Sequence, residues 1–522
     1  MDATDSQRPP DDTIPVGIDL GTTFSVVARL DEQGRPVTLV NAEGDRITPS
    51  VVLFDGQDVV VGREALKAVS TEVEHVATCA KRDMGHRVFH KIVDGKQYPP
   101  EVIEAWTLNK LRQDAVQQIG PFTKAVITVP AYFDEVRRKA TQDAGYMAGL
   151  EVIDIINEPT AAAVAFGYQQ GFLNPEGQVE KPQRIMVYDL GGGTFDVTVM
   201  EIRGSEFIAL ATDGDVQLGG YDWDQRLVDL VAEGFIREHH IDPREDAGSA
   251  GKLWRECEDA KRTLSVRGKA SVACDYRGLT SRVEITRAQF EEATQDLLDR
   301  TRFTTAQTLK AAGMDWPNLD RVLMVGGSTR MPMVRAMIKR VFGKDGDSSV
   351  AADEAVAHGA ALQAGLLLAK SQGHPGTFKI RNVNSHSLGV VGIDRATNRR
   401  RNGILIPRNT RLPVTAKRTF KTQKANQHSI LVQIVEGESP SADDCNPIGR
   451  CAVSGLPPSL PAHSPVDVYF QYEPNGRLKV RVTVPGTDRQ VETEINRENC
   501  MPKEHLDGWR KYISGAEPSD YS

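Results

Sequence analysis

No run of apolar residues in the 522-residue chain is long enough to cross a bilayer, so a helical membrane protein is not expected. The polar segment 1–13 lacks the apolar stretch of a signal peptide, and a cytoplasmic protein is the expectation. Positive charge is not in excess. The 63 Lys and Arg stand against 71 Asp and Glu, and a net charge of −8 argues against general affinity for nucleic acid or an anionic membrane. Cysteine is sparse: six residues, at 79, 257, 274, 445, 451 and 500, without the spacing of metal ligands. Cys445 and Cys451 are near enough to pair, but free thiols in a reducing compartment are the simpler expectation. The phosphate-binding pattern Gly-x-x-x-x-Gly-Lys-Ser/Thr does not occur, so a P-loop has no support. What remains is an ordinary globular composition, 40% hydrophobic and 26% charged, in a chain too long for one core. At least two domains are expected.

The most informative stretch is 185–200: an apolar strand, Asp189-Leu-Gly-Gly-Gly-Thr194, then Phe195-Asp196 and a second strand. Glycines at 191, 192 and 193 are expected to take positive φ and to bring bare N–H groups close to a ligand. N–H groups for phosphate oxygens beside an acid for a cation suit a metal–nucleotide pair. Residues 16–28 repeat the pattern, with Asp19 matching Asp189 and Thr23-Phe24 matching Thr194-Phe195. Two related halves, each with an acid-bearing hairpin, could grip one polyphosphate from opposite sides.

Around these hairpins the order of elements recurs. A helix is predicted over 100–119, a strand at 125–130, a helix over 134–149 and a strand at 152–157 that runs into Glu158-Pro159 and an alanine-lined helix. In the second half, long helices include Glu258, Lys261, Arg262 and Ser265 on one face. A strand at 321–325 then enters Gly326-Gly327-Ser328-Thr-Arg330, a helix start suited to phosphate or nucleoside. Asp353 opens a second small-faced helix, and the two such helices could cross between the lobes as a hinge. Residues 371–377 read as a linker. Beyond it lie short alternating strands, among them 429–435 and 466–472, and an Asn475-Gly476 hairpin turn, forming an all-β module that ends near Ile495. Four arginines between 395 and 401 read as a solvated loop, with an anionic partner as the other reading. Residues 501–522 suggest one short helix and a tail.

Ile18-Asp-Leu-Gly-Thr-Thr23, Asn157-Glu-Pro-Thr-Ala-Ala-Ala163, Asp189-Leu-Gly-Gly-Gly-Thr-Phe-Asp196 and Val325-Gly-Gly-Ser-Thr-Arg330 occur in order, and with them the chain resembles the Hsp70 chaperone family of the actin/hexokinase-type ATPases. The resemblance runs from about 16 to 495. It implies an α/β fold: a duplicated actin-like (ribonuclease H-like), two-lobed ATPase domain over 14–370, with lobes at about 14–175 and 184–370. It further implies a linker at 371–383, a β-sandwich peptide-binding domain at 384–497 and a short tail at 498–522 in place of a helical lid. The implied ligands are ATP or ADP, Mg²⁺ and, in addition, K⁺.

By the same resemblance Asp19 and Asp189 hold Mg²⁺, largely through water, and Gly21, Thr22, Thr23, Phe24 and Gly191 to Gly193 line the phosphates. Two like charges about 4 Å apart repel by about 4 kcal/mol at an effective dielectric near 20, so two acids and a triphosphate need a cation between them. Lys81 steadies the γ-phosphate and the attacking water, Glu158 and Thr194 orient that water, and Asp196 completes the site. Glu258, Lys261, Arg262, Ser265, Gly326, Gly327, Ser328, Arg330 and Asp353 match the adenosine side, with Arg330 stacked on the base. Pro130 and Arg138 match residues tied to interdomain switching. Val390, Ile393, Phe420, Ile430 and Val432 match a hydrophobic groove for an extended peptide, with ordinary sandwich core as the other reading. Unfolded or extended apolar segments, a J-domain co-chaperone and a nucleotide exchange factor are the implied partners.

The chain departs from the family pattern in three places. Its linker, Phe378-Lys-Ile-Arg-Asn-Val383, interleaves basic residues and carries Asn382 where the family has aspartate. No long helical lid follows, so bound peptide is expected to leave quickly. Phe24 replaces a tyrosine and its hydroxyl. An ATP-hydrolysing chaperone is the favoured function. The alternatives are an ATP-gated adaptor for one dedicated partner and a sugar kinase, for which no residue marks a substrate base.

Overall fold

Strands that read as continuous apolar runs must be covered on both faces, and the two hairpins sit at the centres of two such sheets. In the computed structural model, which describes residues 15–56, 58–173, 181–394, 396–473, 478–494 and 501–515, each of the two duplicated halves folds around its own sheet. The expected tail at 1–13, Arg395, the Asn475-Gly476 turn, Ile495 and Cys500 lie outside the described residues.

In the first lobe the strands run in the order Pro36–Leu39, Phe24–Leu30, Val16–Asp19, Lys124–Val129, Glu151–Asn157. The first pairs are antiparallel and the last two parallel. In the second lobe Glu206–Asp215, Phe195–Arg203, Gln183–Leu190 and Arg321–Val325 repeat the first four positions with the same sense of pairing. The duplication inferred from Asp19 and Asp189 is therefore a duplication of sheet topology.

The helix Pro100–Ile119 forms with the predicted bounds, and Glu135–Met147 is capped by the Asp134 carboxylate, which accepts from the Arg137 N–H. The small-faced helices Glu158–Gln169 and Ala355–Ser371 pack against each other between the lobes, burying Ala161 to Ala165, Ala360 and Ala364. A Cβ on Gly359 would stand 1.9 Å from the Ala161 carbonyl oxygen, so only glycine allows this crossing. The hinge expectation thus has its close contact.

The linker expectation needs correction. Residues up to Ser371 belong to the preceding helix, and Lys379–Arg381 is a fifth strand of the second-lobe sheet, parallel to Glu206–Ile208 on its edge. Phe378 is buried with its ring against Phe207, centroids 6.0 Å apart and edge-on. The interleaved basic residues do not prevent docking because Glu206 meets both: 3.1 Å from Arg381 and 3.8 Å from Lys379. Asn382, in place of an acid, accepts at Oδ1 from Thr160 Oγ1 at 3.3 Å.

The all-β module is a sandwich of two four-stranded sheets. One runs Arg400–Ile406, Leu388–Ile393, Ser429–Glu436, Asn446–Ser454; the other Val414–Lys421, Pro465–Tyr472, Leu478–Thr483, Gln490–Glu494. It rests on both lobes. Tyr472 Oη donates to Glu135 Oε1 at 2.8 Å, Arg408 pairs with Asp213 at 2.6 Å, and Asn409 Oδ1 accepts from the Thr212 N–H at 3.0 Å. The helix Lys503–Ile513 then returns to the first lobe, burying Leu506 and Ile513, and the Tyr146 hydroxyl donates to Asp507. The short helix expected after the sandwich is thus present and docked, while the expected tail beyond residue 515 lies outside the described residues. Among the described residues no helix is long and apolar enough to cross a membrane. Five cysteines are free, so Cys445 and Cys451 do not pair.

Candidate functional site

The two hairpin turns meet across a cleft of about 770 Å³ between the lobes. Their approach explains the glycines, and not in the way the sequence suggests. None of Gly191, Gly192 and Gly193 has φ in the left-handed region. What forbids a side chain is the opposite turn: a Cβ on Gly192 would lie 1.9 Å from Thr23 Oγ1, and one on Gly193 would lie 2.4 Å from Thr22 Cγ2. The two turns interlock through Thr22, Thr23 and the glycine backbone, and Gly191 and Gly192 line the cleft floor, with the Gly191 N–H donating to the Thr194 carbonyl at 3.0 Å.

Carboxylates crowd that floor. Asp19 accepts from Thr128 Oγ1 at 2.9 Å, and Asp196 Oδ1 accepts from the Tyr132 N–H at 2.9 Å. Lys81 is 3% exposed and donates from Nζ to the Leu20 carbonyl and to Glu158 Oε1, both at 2.5 Å. Loss of water, then the charge of Glu158, pushes Asp19 up to about 7 and Asp196 up to about 8. The same two causes carry Asp189 well above the carboxylate range. Burial alone would lower the Lys81 ammonium, but Glu158 and Asp19 raise it above its ordinary value. These four acids and the buried Glu104 therefore share one ammonium.

Among the described residues no group of three or more His, Cys, Asp or Glu side chains is placed to cage a metal ion directly. The raised carboxyls fit a hard cation that takes one or two protein oxygens and completes its shell with water and phosphate.

The residues that the resemblance assigns to adenosine, Glu258, Lys261, Arg262, Ser265, Gly326, Gly327, Ser328, Arg330 and Asp353, all line this cleft. Ser328 Oγ donates to the Gly191 carbonyl at 2.9 Å, Arg330 pairs with Asp353 at 2.5 Å, and Arg262 pairs with Glu258 at 2.5 Å. The Arg262 guanidinium lies 5.8 Å from the centre of the Phe24 ring. Gly326 has φ +82°, and a Cβ there would meet the Leu190 carbonyl at 2.4 Å, so this turn does need a glycine's backbone. Arg138 donates to Asn157 Oδ1 at 2.6 Å and to the Phe133 carbonyl at 3.1 Å, tying its helix to the strand before Glu158; Pro130 is buried beside them.

Several residues escaped sequence reading. Asp224 takes Lys261 Nζ at 2.6 Å, and burial pushes it up to about 6. Thr128 holds Asp19, and Glu104, fully buried beside Lys81, is pushed up to about 7 by burial. The Tyr221 and Trp254 rings pack in the cleft wall, tilted by 35° with centroids 4.3 Å apart. No local motif marks them; each is defined by a partner distant in sequence.

Of the five proposed groove residues, Val390 and Val432 are packed in the sandwich core, Phe420 and Ile430 lie half-buried against it, and Ile393 is exposed. For Val390 and Val432 the sandwich-core reading describes the packing. The Phe420 ring stands over Gly403, the cross-strand partner of Val390.

A family model described as "Hsp70 protein" matches residues 15–94 and 88–515. The chaperone protein DnaK from each of two strains of Thermus thermophilus is 40% identical, with the match covering 94% of this chain and 82% of the relative. The two-lobed domain and the β-sandwich are consistent with that family. The protein belongs to the Hsp70 family: it is an ATPase that acts as an ATP-dependent chaperone.

Proposed function

We propose that the interlocked turns hold the β- and γ-phosphates of ATP through Gly21, Thr22, Thr23 and the glycine turn 191–193. Asp19 and Asp189 would hold Mg²⁺ through water; the ion would supply charge neutralisation between phosphate oxygens and acids. K⁺ is a further ion the same anionic floor can accept. Lys81 contributes its ammonium to the γ-phosphate, Glu158 and Thr194 orient the attacking water, and Asp196 shapes the polar floor. Glu258, Lys261, Arg262, Ser265, Ser328, Arg330 and Asp353 take the adenosine. Positioning and charge compensation carry most of the catalysis in phosphoryl transfer, and this site is rich in both. The observation that carries the reading is Lys81 held between the Leu20 carbonyl and Glu158, directly behind the paired turns.

The sandwich takes extended apolar segments of unfolded chains, and the docked strand Lys379–Arg381 supports communication between nucleotide and peptide sites. A J-domain co-chaperone and a nucleotide exchange factor are the expected partners, in a cytoplasm whose reducing state suits five free thiols.

Single-turnover hydrolysis tests the ATPase half. Lys81→Ala and Thr194→Ala should each lower the rate by about 100-fold, the scale of one lost preorganised contact, while nucleotide affinity stays within severalfold. Wild-type turnover in Lys81→Ala would refute the assignment.

A further inference from the structure

From 395 to 435 the chain holds ten arginines and lysines and no aspartate or glutamate, although the whole protein is acidic. The fold concentrates part of this run at one place. Leu388–Ile393 pairs antiparallel with Ser429–Glu436, so the loop leaving Ile393 and the loop entering Ser429 lie at the same end of the sandwich. Ile393 opposes Arg400, which brings Arg399 and Arg401 to that end, and Lys421 and Lys424 open the second loop. Arg400 is paired with Asp443 at 2.7 Å and Arg401 with Asp394 at 3.6 Å. Arg399, Lys421 and Lys424 are exposed, and among the described residues no acid meets them. Asp488 lies on a turn at the same end, two strands away in the other sheet.

The same end carries an opening for an extended chain. Pairing between these two strands stops at Val390–Ile434, although one runs on to Ile393 and the other starts back at Ser429. Two strand edges face each other there with their outward N–H and C=O groups free to take an added strand. Ile393, 42% exposed, and Leu431, 53% exposed, mark this stretch with apolar surface.

We propose that the sandwich selects extended apolar segments flanked by aspartate or glutamate, the flanks being held by Arg399, Lys421 and Lys424. This rests on the peptide-binding reading above and adds to it the charge class of the substrate. Backbone pairing in the opening gives affinity without sequence choice, whereas the basic pole discriminates through charge complementarity.

The test uses the full-length protein with ADP and three fluorescein-labelled peptides that share one leucine-rich core, flanked by three glutamates, serines or lysines on each side. Exposed charge pairs are individually weak, so the glutamate peptide should bind about tenfold tighter than the serine peptide, and the lysine peptide weaker still. The preference should vanish at high salt. Lys421→Glu/Lys424→Glu, checked for an unchanged melting profile, should remove or invert it. Equal affinity of the serine and glutamate peptides, or tighter binding of the lysine peptide, would overturn the charge assignment while leaving peptide binding intact. Failure of all three to bind would instead overturn the peptide-binding reading, and the inference with it. Single-stranded RNA competing as well as the glutamate peptide would show an unspecific anion surface and likewise overturn the proposal.

Discussion

The molecule buries acids in two places and resolves them differently. On the cleft floor Asp19, Asp189, Asp196 and Glu158 share the single ammonium of Lys81, and two of the aspartates are pushed up to about 7 and about 8. At the face where the sandwich meets the first lobe, Glu135 and Glu436 are as deeply buried but are met by donors. Tyr472 Oη donates to Glu135, the Glu135 N–H donates to Glu436 Oε2 at 3.1 Å, and His386 stands beside Glu436 with its Nε2 3.0 Å from the Tyr132 carbonyl. Burial still pushes Glu436 up to about 7, with His386 opposing the rise. The cleft is thus short of positive charge and the interface is nearly complete. An incomplete cluster is poised to gain energy from a cation and its phosphates, whereas a complete one gains only by staying shut.

The sharpest way to break this contrast is to neutralise an acid in the cleft. Asp196→Asn keeps an oxygen for the Tyr132 N–H and removes one of the crowded charges. Turnover should fall more than tenfold, yet the nucleotide-free protein should gain about 1 kcal/mol in denaturant unfolding at alkaline pH, where the native aspartate is forced to ionise. Loss of stability together with activity would mean that the cleft is as complete as the interface. The reverse is expected at the second cluster. Tyr472→Phe leaves Glu135 without its hydroxyl donor, a loss of about 1 kcal/mol in docking, or about fivefold. The Leu412 N–H donates to the Asn382 carbonyl at 2.9 Å, linking the sandwich to the docked strand, so trypsin cleavage at Lys379 and Arg381 should accelerate by that factor. An unchanged cleavage rate would show that Tyr472 does not help to hold the domains together.

The two clusters also differ in how much of them could be read in advance. The cleft acids sit in local patterns: Asp-Leu-Gly between alternating strands occurs twice, and Glu158 precedes Pro159 at a helix start, so their positions were legible, although partners such as Thr128 and Tyr132 were not. The reason for Gly191 to Gly193 was not, because it depends on Thr22 and Thr23 from the other lobe rather than on the turn itself. The interface cluster left no trace of that kind. Glu135 reads as an ordinary first-turn acid, and its partner Tyr472 lies 337 positions away. The linker misled for the same reason: Lys379 and Arg381 look unsuited to docking until Glu206 is seen beside them. Val390 and Val432 show the converse limit, since an alternating strand has the same apolar pattern whether it lines a groove or fills a core.

The smallest expected effect separates the clusters by pH. Burial would lower His386, but Glu438, Glu436 and the Tyr132 carbonyl raise it to about 9, above its ordinary 6.5; Glu436 rises from 4.5 to about 7. Both groups hold their protons more tightly when the sandwich is docked than when water surrounds them. The docking they support is therefore complete below their ordinary values and is lost as pH rises through about 7 for Glu436 and about 9 for His386. Asp134 and Glu135 add to the rise of Glu436, and Glu438, itself held low by His386 and Arg408, adds to that of His386. Contacts that do not titrate here, such as Asn409 to the Thr212 N–H, hold part of the population docked, so the docked population should fall by about threefold between mildly acidic and alkaline solution. Energy transfer between dyes on the second lobe and the sandwich reads that population directly. Glu436→Gln removes the lower of the two steps, and adding His386→Gln should leave the response flat. A wild-type signal that is already flat, or docking that tightens with pH, would mean that these two groups do not titrate with the opening of the interface.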